Sequence, residues 1–203
     1  MPPSGNAAGI ELIPADYFRL LERGEIFPDT FRPLELDVGC GDGTFLLAMA
    51  EHYPERDFLG IERLGGRVKK ICRKAARADL KNVRVLCLES GYALGWLLPG
   101  GCASRLHLLF PDPWPKVRHA GRRFIQPDNL AALHRVLAPG GELLFKTDHP
   151  DYYITACEVM DHSPLFRRAE WPGAETFYPL TDFEELWLSQ GCTINAARWI
   201  KAA

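Results

Sequence analysis

The chain has 203 residues, 47% hydrophobic and 25% charged, the balance of a globular domain that buries its own core. That balance excludes disorder, collagen and coiled coil as whole-chain descriptions, and no apolar run approaches the roughly 18 residues of a membrane-spanning helix. The net charge is −2 but unevenly spread: residues 1–62 carry −8, residues 63–123 carry +11 and residues 124–203 carry −5, an asymmetry that points to an anionic partner meeting one face.

In chain order, Met1 to Gly9 is small and polar, with no basic start before an apolar stretch. No secretory signal is read there, and a cytoplasmic location without a membrane partner is expected. A lead-in helix is expected at about 15–23, before Pro28 and Pro33 interrupt the chain. Residues 1–32 read as a lead-in helix and loop, and residues 33–203 as a single domain. Strands are expected at 34–38, 57–61, 83–88, 105–110, 141–147 and near 192–199. Helical patterns fall between them at about 43–52, 64–78, 91–97, 127–137 and 150–161. The strands are near-continuous apolar runs, such as Val83 to Leu88 and Leu106 to Phe110, as expected where both sheet faces are covered. The alternation predicts a doubly wound, Rossmann-like, mostly parallel α/β sheet. Ligands of such sheets lie beyond the carboxyl ends of the strands.

The first strand of that sheet, Leu34 to Val38, runs into Gly39-Cys40-Gly41-Asp42-Gly43, where glycines permit a tight turn and close backbone approach to a ligand. Glu62 ends the next strand 19 residues after Gly43, and a carboxylate there suits the two hydroxyls of an adenosine ribose. A nicotinamide dinucleotide is the rival ligand. Its G-x-G-x-x-G pattern needs glycine at position 44, which is Thr44, and its pyrophosphate would meet Asp37 and Asp42. S-adenosyl-L-methionine has no phosphate and carries an ammonium and a sulfonium, both favoured by carboxylates. Asp37, Gly39, Gly41 and Glu62 are therefore candidate cofactor-binding residues for S-adenosylmethionine. Glu89, after the third strand, lies where the adenine would sit.

Arg63, Arg67, Lys70, Lys74, Arg77 and Lys81 follow at spacings of 4, 3, 4, 3 and 4, which places them on one side of a helix. Leu64, Val68, Ile71, Ala75 and Ala78 form the other, core-facing side. This stripe reads either as a solvated face or as a track for phosphates. The fourth strand delivers Pro111-Asp112-Pro113-Trp114-Pro115-Lys116, then Arg118, His119, Arg122 and Arg123. Three prolines in five residues stiffen the backbone and hold Asp112 at the strand end, beside the cofactor's methyl group. The basic residues beyond read as an outward arm for an anionic partner, with Trp114 as an anchor. The six cysteines stand singly, without zinc spacing, so neither a metal site nor a disulfide is expected.

The run from Pro111 to Arg123 resembles the signature of the bacterial-type tRNA (guanine-N7)-methyltransferases. The glycine turn, Gly60-Ile61-Glu62, Gln126-Pro127, Thr147-Asp148 and Thr181-Asp182-Phe183-Glu184 recur at that family's spacing, so the resemblance spans about residues 34–184. It implies a seven-stranded, mostly parallel sheet with an antiparallel last strand. It also implies methyl transfer from S-adenosylmethionine to N7 of a variable-loop guanosine (position 46 in tRNA numbering), leaving S-adenosyl-L-homocysteine. Asp37, Glu62 and Glu89 match cofactor positions of the family. Asp112 matches the residue assigned to catalysis and touching the cofactor. Lys116, Asp148 and Thr181 to Glu184 match RNA-substrate positions, and His119 and Arg122 match further residues of the functional surface. The family includes monomers and homodimers. Leu186 and Trp187 stand where it usually has Arg-Gly, and the tail from Gly191 matches poorly. The alternatives are a methyltransferase acting on another RNA or base position, and a catalytically silent RNA-binding homologue.

Overall fold

The computed structural model describes residues 9–28, 31–173 and 175–202. The polar start, Met1 to Ala8, lies outside them, as do Asp29 and Thr30 of the expected lead-in loop.

Eight strands form one sheet: β1 (Glu11–Leu12), β2 (Leu34–Val38), β3 (Asp57–Glu62), β4 (Val83–Cys87), β5 (Ala103–Leu109), β6 (Leu137–Thr147), β7 (Phe166–Ala169) and β8 (Asn195–Lys201). Their order is β1-β4-β3-β2-β5-β6-β8-β7. All pairs are parallel except those of β8, which runs antiparallel between β6 and β7. Seven strands with β8 reversed are the expected sheet; the two-residue β1 adds an eighth at the edge beside β4.

Strand periodicity sorts the core into two layers. Leu34, Leu36 and Val38 of β2, Leu106 and Leu108 of β5, and Leu143 and Phe145 of β6 pack in one apolar layer. That layer meets α5 (Pro127–Val136), α6 (Pro150–Asp161), and α4 (Ser90–Tyr92) with the π-helical turn Ala93–Leu97 that continues it. A second layer gathers Phe45, Leu46 and Met49 of α2 (Thr44–His52) with Val68, Ile71, Cys72 and Ala75 of α3 (Gly65–Arg77). The alternate positions of the central strands are largely polar, with Leu109 and Leu144 the apolar exceptions. Glu35, Asp37, His107, Glu142 and Lys146 are all buried. The continuous apolar runs expected for these strands thus carry a buried polar row, which the cover of the second layer must satisfy.

Part of that cover is a strap over residues 170–181 leading into α7 (Asp182–Ser189). Phe177 stacks on His52 at the carboxyl end of α2, with ring centroids 3.9 Å apart. Thr44 Oγ1, at the amino end of α2, donates to Asp182 Oδ2 at 3.0 Å. The strap therefore runs back along α2 and places α7 beside the glycine turn.

Three expectations are corrected. The lead-in helix at 15–23 is a single turn, α1 (Arg23–Ile26). An Asx turn, Phe18 N–H to Asp16 Oδ1 at 2.8 Å, and the Leu21 N–H bond to Leu97 O at 2.8 Å replace helical bonds there, leaving Phe18 exposed and seating Leu21 in the core. Leu64 and Ala78 lie exposed at the ends of α3, with Cys72 taking a place on its core side. The last strand lies at Asn195–Lys201 rather than 192–199, and β7 and α7 were not read from the sequence.

Candidate active site

The glycine turn after β2 is the first piece of the site. Gly39, Gly41 and Gly43 all have positive φ, at 79°, 56° and 76°. A Cβ on Gly39 or Gly41 would meet nothing, so their backbone faces open space that a ligand can enter. Gly43 serves packing instead, because a Cβ there would lie 2.7 Å from Ile71 of α3. Gly60 is similar: a Cβ would lie 2.6 Å from Leu46 and 2.7 Å from Cys40 Sγ, so β3 presses against the turn. Gly39 and Cys40 both donate their N–H to Ile61 O, at 2.9 and 3.0 Å.

Glu62 ends β3 and is buried. Its carboxylate accepts from Gly41 N–H at 3.1 Å and from Leu64 N–H at 2.8 Å, which fixes it at the rim of the turn. Asp37 is 4% exposed. Burial, and after it the charge of Glu62, pushes its carboxyl up to about 7. Burial, with the charges of Asp37 and Glu62 behind it, also pushes the Cys40 thiol well up. Arg67 Nη1 lies 3.7 Å from Glu62 Oε2, but no ion pair reaches Asp37 among the described residues, so a ligand bearing a cation would relieve that carboxyl. An ammonium and two ribose hydroxyls are the complement of these two carboxylates, so the residues present fit S-adenosylmethionine and repel a pyrophosphate. Asp42 is taken up elsewhere, with Oδ2 2.6 Å from Lys70 Nζ. Glu89 is exposed and caps α4, accepting from Gly91 N–H and Tyr92 N–H at 2.8 Å each.

The loop after β5 is the second piece. Phe110 and Trp114 bracket Asp112 in left-handed backbone, with φ of 52° and 41°. Bulky residues adopt that region only under constraint. Phe110 N–H bonds Lys146 O at 2.8 Å, and Arg123 Nε donates to Pro113 O at 2.9 Å. Asp112 is thereby held exposed past the end of β5, next to the β2 end that bears Asp37. Asp148 is half-buried just beyond β6, on the other side of β5. Lys116, Arg118 and Arg122 are exposed and His119 half-exposed. Arg122 lies over the Trp114 ring, 4.9 Å from its centroid, so Trp114 does anchor the loop. Arg123 does not belong to the outward arm. It is 7% exposed and donates to Thr155 Oγ1 at 2.8 Å, because three prolines leave carbonyls that need a donor.

The strap and α7 are the third piece. Thr181 caps α7 by accepting from Glu184 N–H at 3.0 Å. Glu184, expected to meet substrate, is buried and bonded to Lys146 Nζ at 2.6 Å, with its second oxygen unpartnered within the protein. The ammonium also lies 5.3 and 5.1 Å from the ring centroids of Trp171 and Tyr178. Tyr178 Oη donates to His107 Nδ1 at 2.9 Å, and His107 Nε2–H donates to Glu35 Oε2 at 2.8 Å. Burial lowers the His107 pKa and raises that of Tyr178, so a neutral imidazole linking the phenol to the carboxylate is the state this chain of bonds requires. Lys146, Tyr178, His107 and Glu35 were missed as sequence candidates. The available signal for Glu35, His107 and Lys146 was a charged or imidazole side chain inside a largely apolar strand; Tyr178, outside any strand, gave none.

The cysteines are all free, and no cluster of metal-ligand residues occurs among the described residues. No described helix is long and apolar enough to cross a membrane.

Fold and glycine turn together define a Rossmann-like methyltransferase of the S-adenosylmethionine-dependent class. The family model Methyltransf_4, described as "Putative methyltransferase", matches residues 31–197. The tRNA (guanine-N(7)-)-methyltransferase of Azorhizobium caulinodans is 39% identical over 165 residues, 75% of this chain and 71% of that one. Its counterpart from Leifsonia xyli subsp. xyli is 37% identical over 169 residues, 81% and 74% of the two chains. Among solved structures, the 16S rRNA methyltransferase KamB shares the fold with a TM-score of 0.61 at 20% identity, over 85% of this chain and 89% of that one. The chain belongs to the tRNA (guanine-N7)-methyltransferase family, and its methyl donor is S-adenosylmethionine.

Proposed function

We propose that this chain methylates N7 of a variable-loop guanosine in tRNA, with Asp112 as its catalytic residue. The observation that carries the assignment is the strained, doubly anchored loop that presents an exposed Asp112 beside the acidic glycine turn. Bound S-adenosylmethionine supplies an electrophilic methyl group on a sulfonium. Asp37 faces its ammonium, Glu62 its ribose hydroxyls, and Gly39 and Gly41 admit it against the backbone. Glu89 keeps lone pairs for the adenine amine while capping α4.

Guanine N7 has a free lone pair and no proton, so no general base is needed and the task is alignment. Positive charge passes to the purine in the transition state, where the carboxylates of Asp112 and Asp148 stabilise it. The same two groups accept from guanine N1–H and its amine, which adenine cannot match. Lys116, His119 and Arg122 hold phosphates of the RNA. Thr181 fixes the start of α7 and, with it, the buried Glu184 carboxylate that holds Lys146 beneath the strap. Residues 33–203 act as one methyltransferase domain with 1–32 as its lead-in. The protein works in the cytoplasm, where tRNA is found, as a monomer or homodimer.

The test is methyl transfer from labelled S-adenosylmethionine to an unmodified tRNA transcript, followed by nucleoside analysis. Label is expected in 7-methylguanosine; label in another nucleoside overturns the base assignment. Asp112→Ala is expected to lower kcat by roughly 100-fold or more, with tRNA and cofactor affinities within a factor of about three. Near-normal turnover in that variant would remove Asp112 from the chemistry.

A further inference from the structure

Residues 63–81 hold eight Lys and Arg against one Asp in a chain whose net charge is −2. The structure divides these eight into two sets. Lys70 and Arg67 lie 2.6 and 3.8 Å from Asp42 carboxylate oxygens, and Lys74 Nζ donates to Asp42 O at 3.1 Å. Lys81 pairs with Asp79. Arg63, Lys69, Arg73 and Arg77 are exposed, and none of them forms an ion pair among the described residues.

A merely solvated helix face mixes both signs, because like charges at i,i+4 repel. Lys69, Arg73 and Arg77 follow one another at that spacing with no acid between them. The first turn of α3 also has no acidic residue and carries Arg67, which opposes the helix dipole. Stability therefore does not explain the composition, whereas a polyanion lying along the helix does.

The placement identifies the polyanion. Arg63 directly follows Glu62 at the rim of the cofactor site, and the row runs from there for about 21 Å along α3. The basic loop of Lys116, Arg118 and Arg122 follows β5, two strands from β3 across β2. Two basic tracks thus leave the site on opposite sides, roughly 10 Å apart at the strand ends. A small anionic molecule would need only one track; an RNA delivering one base between them would use both.

We propose that Lys69, Arg73 and Arg77 of α3, with Arg63 just before the helix, form a second RNA-binding surface, gripping tRNA phosphates outside the loop that carries the methylated base. It rests on the tRNA reading for its partner, and it adds a grip that the Asp112 loop does not contain. Its contacts are to phosphate, so it sets affinity and salt dependence and leaves chemistry alone.

The test is K69Q/R73Q/R77Q, three exposed changes that keep helix-forming side chains. Binding of a full-length unmodified tRNA transcript is measured from 50 to 300 mM salt, beside kcat, KM and the cofactor Kd. Loss of three phosphate contacts should flatten the log–log salt slope by about two to three and raise KM roughly 10- to 50-fold at physiological salt. Turnover at saturating tRNA and cofactor affinity should match wild type, which also shows that the variant is folded. An unchanged salt slope overturns the proposal. So does an unchanged slope with lost binding to phosphatidylserine vesicles, which would assign the face to a membrane surface. Should wild-type protein bind the transcript without methylating it, the function proposed above fails while the slope comparison still decides this one.

Discussion

Asp37 is a carboxyl group that the fold buries beside a second one, Glu62, and its raised pKa makes it a measurable cost in the free protein. Its pKa is about 7 when folded against 3.8 for the free side chain, so the native state binds the extra proton. The contribution of Asp37 to stability is therefore unpenalised at about pH 4 and below and falls as pH rises towards 7. Asp37→Asn removes that dependence. Without cofactor, the variant should unfold later than wild type at pH 8, by at most about 4 kcal/mol, and equally at pH 4. Urea unfolding at the two pH values decides it, and a gap of equal size at both would assign the effect to packing. Cofactor affinity should move the other way, weakening in the variant, because the ammonium loses its anion. The meeting of Asp37, Glu62 and the glycines at one turn was legible because it follows from spacing within a strand–turn–helix unit. Lys146 and Tyr178 were not. They lie 32 residues apart, and only the return of the strap across the sheet brings the ring over the ammonium.

The elements read correctly were those whose pattern is local and strong: β2 to β6, α2, α3, α5 and α6. The three missed were edge or cover pieces, the two-residue β1 among them. The four-residue β7 exposes Arg167 and Arg168, which disguise the apolar pattern but suit a strand at a sheet edge. Helix α7 carries Thr181-x-x-Glu184, half of a capping box, yet its apolar Phe183, Leu186 and Leu188 are exposed and give no core-facing stripe. The loop after β5 was legible as a unit but not residue by residue, since Arg122 and Arg123 look alike in sequence and only one is buried. That difference predicts separable phenotypes. Arg122→Ala should leave stability unchanged while reducing the tRNA salt slope by about one phosphate. Arg123→Ala leaves the Pro113 carbonyl without its donor, and should destabilise by about 1–3 kcal/mol. It should also lower kcat, because Asp112 loses an anchor of its loop. Thermal unfolding beside steady-state kinetics tests both, and matching phenotypes would return Arg123 to the outward surface.

Over the whole molecule, the site is assembled from segments spread between residues 37 and 184, and the last third of the chain must come home for it to close. Charge partition accompanies that arrangement: residues 63–123 carry +11, while acids of the flanking thirds, Asp37, Glu62 and Glu184 among them, lie at the glycine turn and under the cover. The tie between sheet and cover is the Lys146–Glu184 pair, at 2.6 Å with side chains 10% and 6% exposed. Two buried charges in contact stabilise little by their attraction alone, since each has lost its water. Removing one leaves the other buried without a partner, which costs about 3–5 kcal/mol. Lys146→Met should show that loss in urea unfolding, together with a fall in methyl transfer as the strap loosens over the site. The double variant K146M/E184L replaces both charges by apolar groups of similar size and should recover more than half of the lost stability. It should not fully recover activity, because the Lys146 ammonium that meets the Trp171 and Tyr178 rings of the strap is still missing. Additive losses in the double variant would mean that the two side chains act independently and that the strap is held by Phe177 and Tyr178 instead.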